Sequence, residues 1–347
     1  MRTILFVIVV FCTVRVQAQQ NDFTALLEAG GEDAEKLIAG YLKPLYTAGG
    51  YGLAGGWMNT AGTHNVLGVD LTLSASFLGV PDSDLFYNTS DLGMNNTEQL
   101  NGDSAPTIFG PSGEEFRPQY RFTDPDDGEM VEYTGPEGIG LAEQMKDLTG
   151  IDKPIAPLPT VNLGFGLPAN TDLRLRWLPA IRVGDDSNIR FWGIGVQHGL
   201  KPYFGLYERD FDLSGFIGFT SMRMKTDLRN AVVTTENEVI STDGEGSMRL
   251  RSLVIRGAVS KDLSVFTFFG AVGYTHVTSR TEVTGSYTYE SGSEIKTVVD
   301  PIDFKLNTGG PSFTAGMRIK LLAITLHTSY TFQRYNSLEL GFGINVN

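Results

Sequence analysis

Residues 67–77 read LGVDLTLSASF and alternate without a break. Leu67, Val69, Leu71, Leu73, Ala75 and Phe77 form one set; Gly68, Asp70, Thr72, Ser74 and Ser76 form the other. Period two marks an extended strand, because successive side chains leave the backbone on opposite sides. Two environments favour such a strand. A soluble antiparallel sheet packs the apolar face on a core and wets the other. A transmembrane barrel turns the apolar face to lipid and the polar face to its lumen, with about 9–11 residues crossing the bilayer. Globular strands run nearer 5–6 residues.

The rest of the chain separates the two. From residue 158 onward it is a series of similar segments. PTVNLGFGL sets Val161, Leu163, Phe165 and Leu167 against Thr160, Asn162, Gly164 and Gly166, and TDLRLRWLP sets Leu173, Leu175 and Trp177 against Asp172, Arg174 and Arg176. Further candidate strands are 189–200, 211–224, 247–260, 263–278, 282–289, 297–306, 312–322, 324–332 and 337–346, separated by turn-like GDDSN, DGEG, SGSE and NTGG. With pieces in the loop described below, the count is about 12–14 strands, many long enough to cross a bilayer. Charges on strands with an apolar opposite face fit a lumen, so Arg174, Arg176, Arg249 and Arg251 are all expected to point inward. Two places break phase: Phe191 competes with Trp192, Ile194 and Val196, and Met248/Leu250 sit out of step with Leu253/Ile255. Bulges or a partly apolar lumen explain both.

The N-terminus agrees with export. Arg2, the apolar run 4–13 and Val16-Gln17-Ala18 read as a signal peptide cut after Ala18, which removes Cys12, the sole cysteine. A mature chain without disulfides depends on its core or its surroundings. No later stretch has the apolar length of a membrane helix. Mean hydropathy is −0.07, as expected when lipid-facing and lumen-facing positions average out. The formal net charge of −13 argues against nucleic acid as a partner.

Residues 22–46 read as helical: FTALLEAG, a break at Gly30-Gly31, then EDAEKLIAGYLK with Leu37, Ile38, Tyr41, Leu42 and Leu45 on one side. Pro44 ends the second helix, and the Gly49–Gly56 run reads as a flexible joint. Residues 37–45 are then a mobile gate or a permanent plug. Residues 82–156 are rich in Asp, Asn, Gly and Pro and read as one long irregular region with a single helix, EGIGLAEQMKDLTG. Barrels carry such stretches on their extracellular side.

AEKLIAGYLKPL, GYGLAGGWMNTAGTHNVLGVDL, FGLPANTDLRLRWLPAI, WGIGVQHGLKPY and FDLSGFIGFT resemble a family of outer-membrane barrels of unknown function from Bacteroidetes-type, Gram-negative bacteria. A more distant likeness is to outer-membrane long-chain fatty-acid transporters, whose barrel is closed by an N-terminal helical hatch followed by an Asn-Pro-Ala motif. Asn59-Thr60-Ala61 stands at the matching place here, with Thr for Pro. The resemblance implies the cell outer membrane, contact with its lipids, insertion by the barrel-assembly machinery, a hydrophobic small-molecule ligand and no cofactor. Many barrels end on an aromatic residue; this chain ends on Asn347 after Leu338, Leu340, Phe342, Ile344 and Val346.

Enzymatic signatures are sparse. His64, His198, His276 and His327 show no metal spacing. His327 and Ser329 share a strand face, which reads first as hydrogen-bonded lumen residues and second as a base–nucleophile pair of an outer-membrane lipid hydrolase. Arg174, Arg176, Arg249 and Arg251 either bind an anionic head group inside the lumen or pair with lumen carboxylates such as Asp70, Asp172 and Asp212.

The expected protein is thus all-β: an antiparallel transmembrane β-barrel with an N-terminal helical plug. Residues 1–18 are the signal peptide, 19–62 the hatch and 63–347 the barrel. Its expected activity is passive transport of hydrophobic small molecules, not enzymatic, with Leu37, Tyr41, Leu42, Asn59, Thr60, Ala61, Arg174 and Arg176 as gating or ligand-binding residues. A structural or adhesive barrel with a filled lumen is the alternative.

Overall fold

The alternation at 67–77 becomes strand β1 (Val69–Gly79), and its faces are inverted relative to a soluble protein. Val69, Leu71 and Leu73 are 37%, 44% and 52% exposed on the outside, while Asp70, Thr72, Ser74 and Ser76 are buried inside. Burying polar groups under an exposed apolar surface is favourable only where the outside is hydrocarbon. The structure, a computed structural model, describes residues 31–123, 128, 130–183, 187–206, 208–229, 241, 243–291 and 294–346. The signal peptide read at 1–18 and the helix read at 23–30 lie outside the described residues.

Nine further strands complete the wall: β2 (Ile155–Leu167), β3 (Thr171–Val183), β4 (Ser187–Gly199), β5 (Asp212–Asp227), β6 (Glu245–Leu263), β7 (Phe266–Thr284), β8 (Ile302–Leu321), β9 (Ile324–Phe332) and β10 (Ser337–Val346). Each pairs antiparallel with its neighbours in sequence, and β1 pairs with β10 from Val69↔Val346 to Leu78↔Ser337, closing a ten-strand barrel without edges. The expected 12–14 strands are too many for two reasons. The later part of the segment read at 297–306 and the segment read at 312–322 fuse into β8, since NTGG is not a turn, while 297–299 belong to a separate hairpin. Gly309 and Gly310 lie in the strand because a Cβ there would press on the Thr275 carbonyl at 2.7 Å and the Tyr51 hydroxyl at 3.1 Å. The segment read at 282–289 is shared between β7 and that hairpin, which pairs Ser286–Ser291 with Glu294–Val299.

The two barrel ends differ. At one, Ser264–Val265 and Leu322–Ala323 make tight turns, and residues 65–68 lead into β1. The β4–β5 connection also lies at this first end, while the other carries the longest connection, between β1 and β2. There the described residues of 82–156 are folded, not irregular. Phe86–Asn88 pairs with Ser104–Pro106; Thr97–Gln99, Gln119–Thr123 and Met130–Thr134 form a small sheet; and, after the lumen helix α1 (Gly31–Ala54) in chain order, the expected helix appears as α2 (Leu141–Thr149).

Helix α1 is a single element. It runs through Pro44 and past Gly49, Gly50 and Gly52, so neither the helix end at Pro44 nor the flexible joint is present. Interior Pro and Gly are unfavourable in an isolated helix. Here the glycines are contact points: an added Cβ would lie 2.8 Å from Leu250 at Gly49, 2.2 Å from Val277 at Gly50 and 2.8 Å from Leu158 at Gly52. The helix lies this close because its neighbours are inward-facing wall residues. Packing against them outweighs the propensity loss.

That packing also explains the breaks in phase. Phe191, Met248 and Leu250 point inward and form one cluster with Tyr46, Leu53 and Met222. Trp192, Ile194, Val196, Leu253 and Ile255 point outward. No register shift occurs there; among the described residues the wall shifts register only between Leu178 and Ile181. The lumen is apolar where the helix rests on it.

Candidate functional site in the lumen

Leu37 and Tyr41 sit at the long-loop end of α1. Leu37 packs with Tyr120, Phe122 and Tyr133 of the small sheet, and Tyr41 donates its hydroxyl to the Glu137 carbonyl at 3.0 Å. Leu42 packs beside the Tyr46–Leu250 cluster. Asp33 fixes this end: its carboxylate accepts the backbone N–H groups of Asn95, Asn96 and Thr97 at 2.8–3.1 Å. Burial alone would raise the Asp33 carboxyl, but those N–H groups and nearby Lys36 bring it below the ordinary carboxylate range. Burial pushes the Tyr87 phenol the other way, up to about 12.

Toward the short-turn end the contacts turn polar. Arg176 is fully buried and donates to the Leu53 carbonyl at 2.7 Å, to the Gly55 carbonyl and to Asn162. Its guanidinium stacks 3.9 Å over the Trp57 ring. This cation caps the carbonyls that a helix C-terminus leaves unpaired, at the negative end of the dipole. Arg174 donates to the Trp57 carbonyl at 3.0 Å and to Asp172 at 3.4 Å. Glu339 accepts the Gly56 N–H at 2.8 Å and His327 Nε2 at 3.0 Å.

The Asn59-Thr60-Ala61 segment is tied to the wall. Thr60 Oγ1 lies 3.1 Å from Ser260 Oγ, which also accepts the Ala61 N–H at 3.0 Å. Gln197 donates to the Thr60 carbonyl at 3.1 Å, and Arg318 reaches Asn59 at 3.5 Å. Asp172 accepts His64 N–H at 2.9 Å and contacts His64 Nδ1 at 2.7 Å. Lys320 donates to Asn345 Oδ1, which turns the Asn345 amide nitrogen toward His64 Nε2 at 2.7 Å. The network therefore assigns the His64 proton to Nδ1.

The expected site residues thus divide. Asn59, Thr60, Ala61, Arg174 and Arg176 share one buried network; Leu37, Tyr41 and Leu42 lie higher on α1, with Leu37 roughly 25 Å of helix from Ala54. Of the carboxylates expected to pair with the arginines, Asp172 does so, while Asp212 faces Lys201 at 3.8 Å. Arg249 and Arg251 are corrections: both point outward, in phase with Leu253 and Ile255. His327 binds Glu339, and no bond to Ser329 occurs among the described residues. Sequence reading missed Glu339 and His64. Glu339 was within reach, because it stands between Leu338 and Leu340 and period two turns it inward.

A family model matches residues 1–346. The chain belongs to DUF6588, a family of unknown function. No curated protein matches. The chain is similar to the solved structure of Ail, the attachment invasion locus protein of Yersinia pestis, at 7% identity and a TM-score of 0.25, covering 81% of this chain and 99% of that one. It is similar to the translocator domain of the autotransporter NalP from Neisseria meningitidis at 9% identity and 0.30, covering 82% and 90%. OmpT, an outer membrane protein of Vibrio cholerae, follows at 8% and 0.16, covering 81% and 100%.

Proposed function

We propose that this DUF6588 protein is an outer-membrane barrel whose N-terminal segment is a fixed lumen filler, and that it works through the folded cap at its long-loop end as a structural or adhesive surface protein. One observation carries the reading: residues 31–65 are fastened at three levels. Asp33 holds the top, Arg176 and Glu339 the middle, Ser260 and Asp172 the base. A network in which most members are hydrogen-bonded fixes one arrangement, and breaking part of it leaves charges buried and unpaired. The long connections and the signal peptide read from the sequence support the orientation and the outer-membrane location.

A second reading is passive transport of hydrophobic, fatty-acid-like molecules, with the segment as a hatch. It is favoured by the seam between α1 and the wall, lined by Met222, Met224 and Met248, side chains that repack readily. The two readings part on whether the segment must move. Thr60 and Ser260, with side-chain oxygens 3.1 Å apart, are positions for a disulfide staple in a mature chain that has no other cysteine. Cells carrying T60C/S260C are assayed for uptake of a labelled fatty acid, oxidised and reduced. The filler reading expects identical uptake in both states. Uptake that appears on reduction and vanishes on oxidation overturns it in favour of the hatch.

A further inference from the structure

The outward face carries a basic row that the lumen chemistry does not use. Trp177 on β3 pairs with Trp192 on β4, both more than half exposed above the apolar band. Exposed Trp at that place marks the membrane–water interface. The next outward position toward the long loops is Arg190, and the register then runs Arg190↔Arg223↔Arg249↔Arg280↔Lys305 across β4 to β8. Arg251 lies one outward step below Arg249, opposite Ser221 and Thr278. Strands of a closed barrel tilt about 35–45°, so this row runs obliquely from the interface into the headgroup zone.

Such a row is unfavourable by itself, because like charges directly opposite on paired strands repel. Arg280 has its own carboxylates, Asp303 at 2.6 Å and Glu282 at 3.2 Å. Arg190, Arg223, Arg249, Arg251 and Lys305 have no carboxylate within 4.0 Å among the described residues, and Arg223 Nε is buried without a hydrogen-bond partner. The chain as a whole is strongly acidic at −13, so this cationic stripe runs against its composition. Guanidinium groups suit phosphate oxygens in particular, by planar two-point donation.

We propose that this stripe docks the phosphate groups of the outer-leaflet glycolipid, with lipid headgroups supplying the anions that the protein omits. The proposal rests on the orientation given above, with long loops outward. It is tested on refolded full-length mature protein in detergent, titrated with lipid A, dephosphorylated lipid A and inorganic phosphate, with thermal unfolding as readout. Heat-dependent gel migration first establishes that each form is a folded barrel; a wild-type chain that never shows it fails the barrel reading, separately from the lipid one. Lipid A is expected to raise the unfolding temperature and dephosphorylated lipid A to do so far less. R190Q/R223Q/R249Q should weaken lipid A binding at least about tenfold, each single variant less, and K261Q at the short-turn end should leave it unchanged. Equal binding by the triple variant, or by the single variants should the triple not fold, overturns the proposal. So does an equal loss in K261Q. Stabilisation by inorganic phosphate equal to that by lipid A also overturns it, making the stripe a soluble-anion site.

Discussion

At the scale of single residues, what decides a side chain's role is which side of the wall it faces. Leu73 and Leu250 are both strand leucines, yet Leu73 is half exposed to the lipid side and Leu250 is fully buried against Gly49 of α1. Leu250→Ala opens a cavity between wall and helix and should cost about 2–5 kcal/mol. Leu73→Ala leaves no cavity, because lipid fills the space, and should cost less than half as much. Leu73→Arg should cost about 2–4 kcal/mol near the bilayer midplane. Denaturant unfolding from vesicles measures all three, and equal losses for the two alanine variants would mean that the faces are misassigned. Period two alone made the lipid face of β1 legible. It misplaced Arg249 and Arg251 because the neighbouring Met248 and Leu250 looked like lipid-facing residues. Only a helix in the lumen makes inward apolar side chains sensible, and no local pattern in β6 announces one.

At the scale of elements, α1 shows why its continuation was hidden. Pro44 and the Gly49–Gly56 run are breakers by propensity, and only the wall residues Leu250, Val277 and Leu158, distant in sequence, turn those glycines into contact points. The same holds for β8, where two glycines mimic a turn. The far end of α1 depends instead on one carboxylate. Asp33 sits below the ordinary carboxylate range in the folded protein, so its contribution is fully present above the unfolded value near 4 and is lost as pH falls through the lower folded value. The expected outcome is that the Thr97–Gln99 sheet, which Asp33 ties to α1, becomes protease-sensitive on acidification through that range while the barrel still migrates as folded. Asp33→Asn should be sensitive at neutral pH already. A wild-type cap that stays resistant on acidification through that range, or an Asp33→Asn cap as resistant as wild type at neutral pH, would place the holding force elsewhere.

At the scale of the whole molecule, the lumen is apolar in its upper half, while its lower half combines an apolar cluster of Trp57, Met58, Phe216 and Val254 with a polar network. The two halves contribute differently to closure. The upper half is shape-matched packing of α1 on β6, β7 and β8. The polar part of the lower half is the network of Arg174, Arg176, Asp172, Glu339 and Ser260 around residues 53–64. Deleting residues 20–47 removes Tyr46 and most of the helix but leaves every one of those lower bonds possible. Deleting 20–62 removes the segment's partners in all of these bonds except the His64 N–H on Asp172. If the segment is a filler fastened at its base, the shorter deletion should leave permeability to a bulky antibiotic unchanged, and the longer one should raise it several-fold at matched barrel levels. The longer deletion also strands Arg176 in the lumen without the carbonyls it caps, a strongly destabilising loss for a buried charge unless water enters. Water entry is what an open pore supplies, so a folded, heat-modifiable barrel and raised permeability should appear together. Single-channel conductance in planar bilayers checks the pair directly. A shorter deletion that already conducts would show that the seal lies with α1 in the upper half, and the hatch reading would then gain the mobile element it needs.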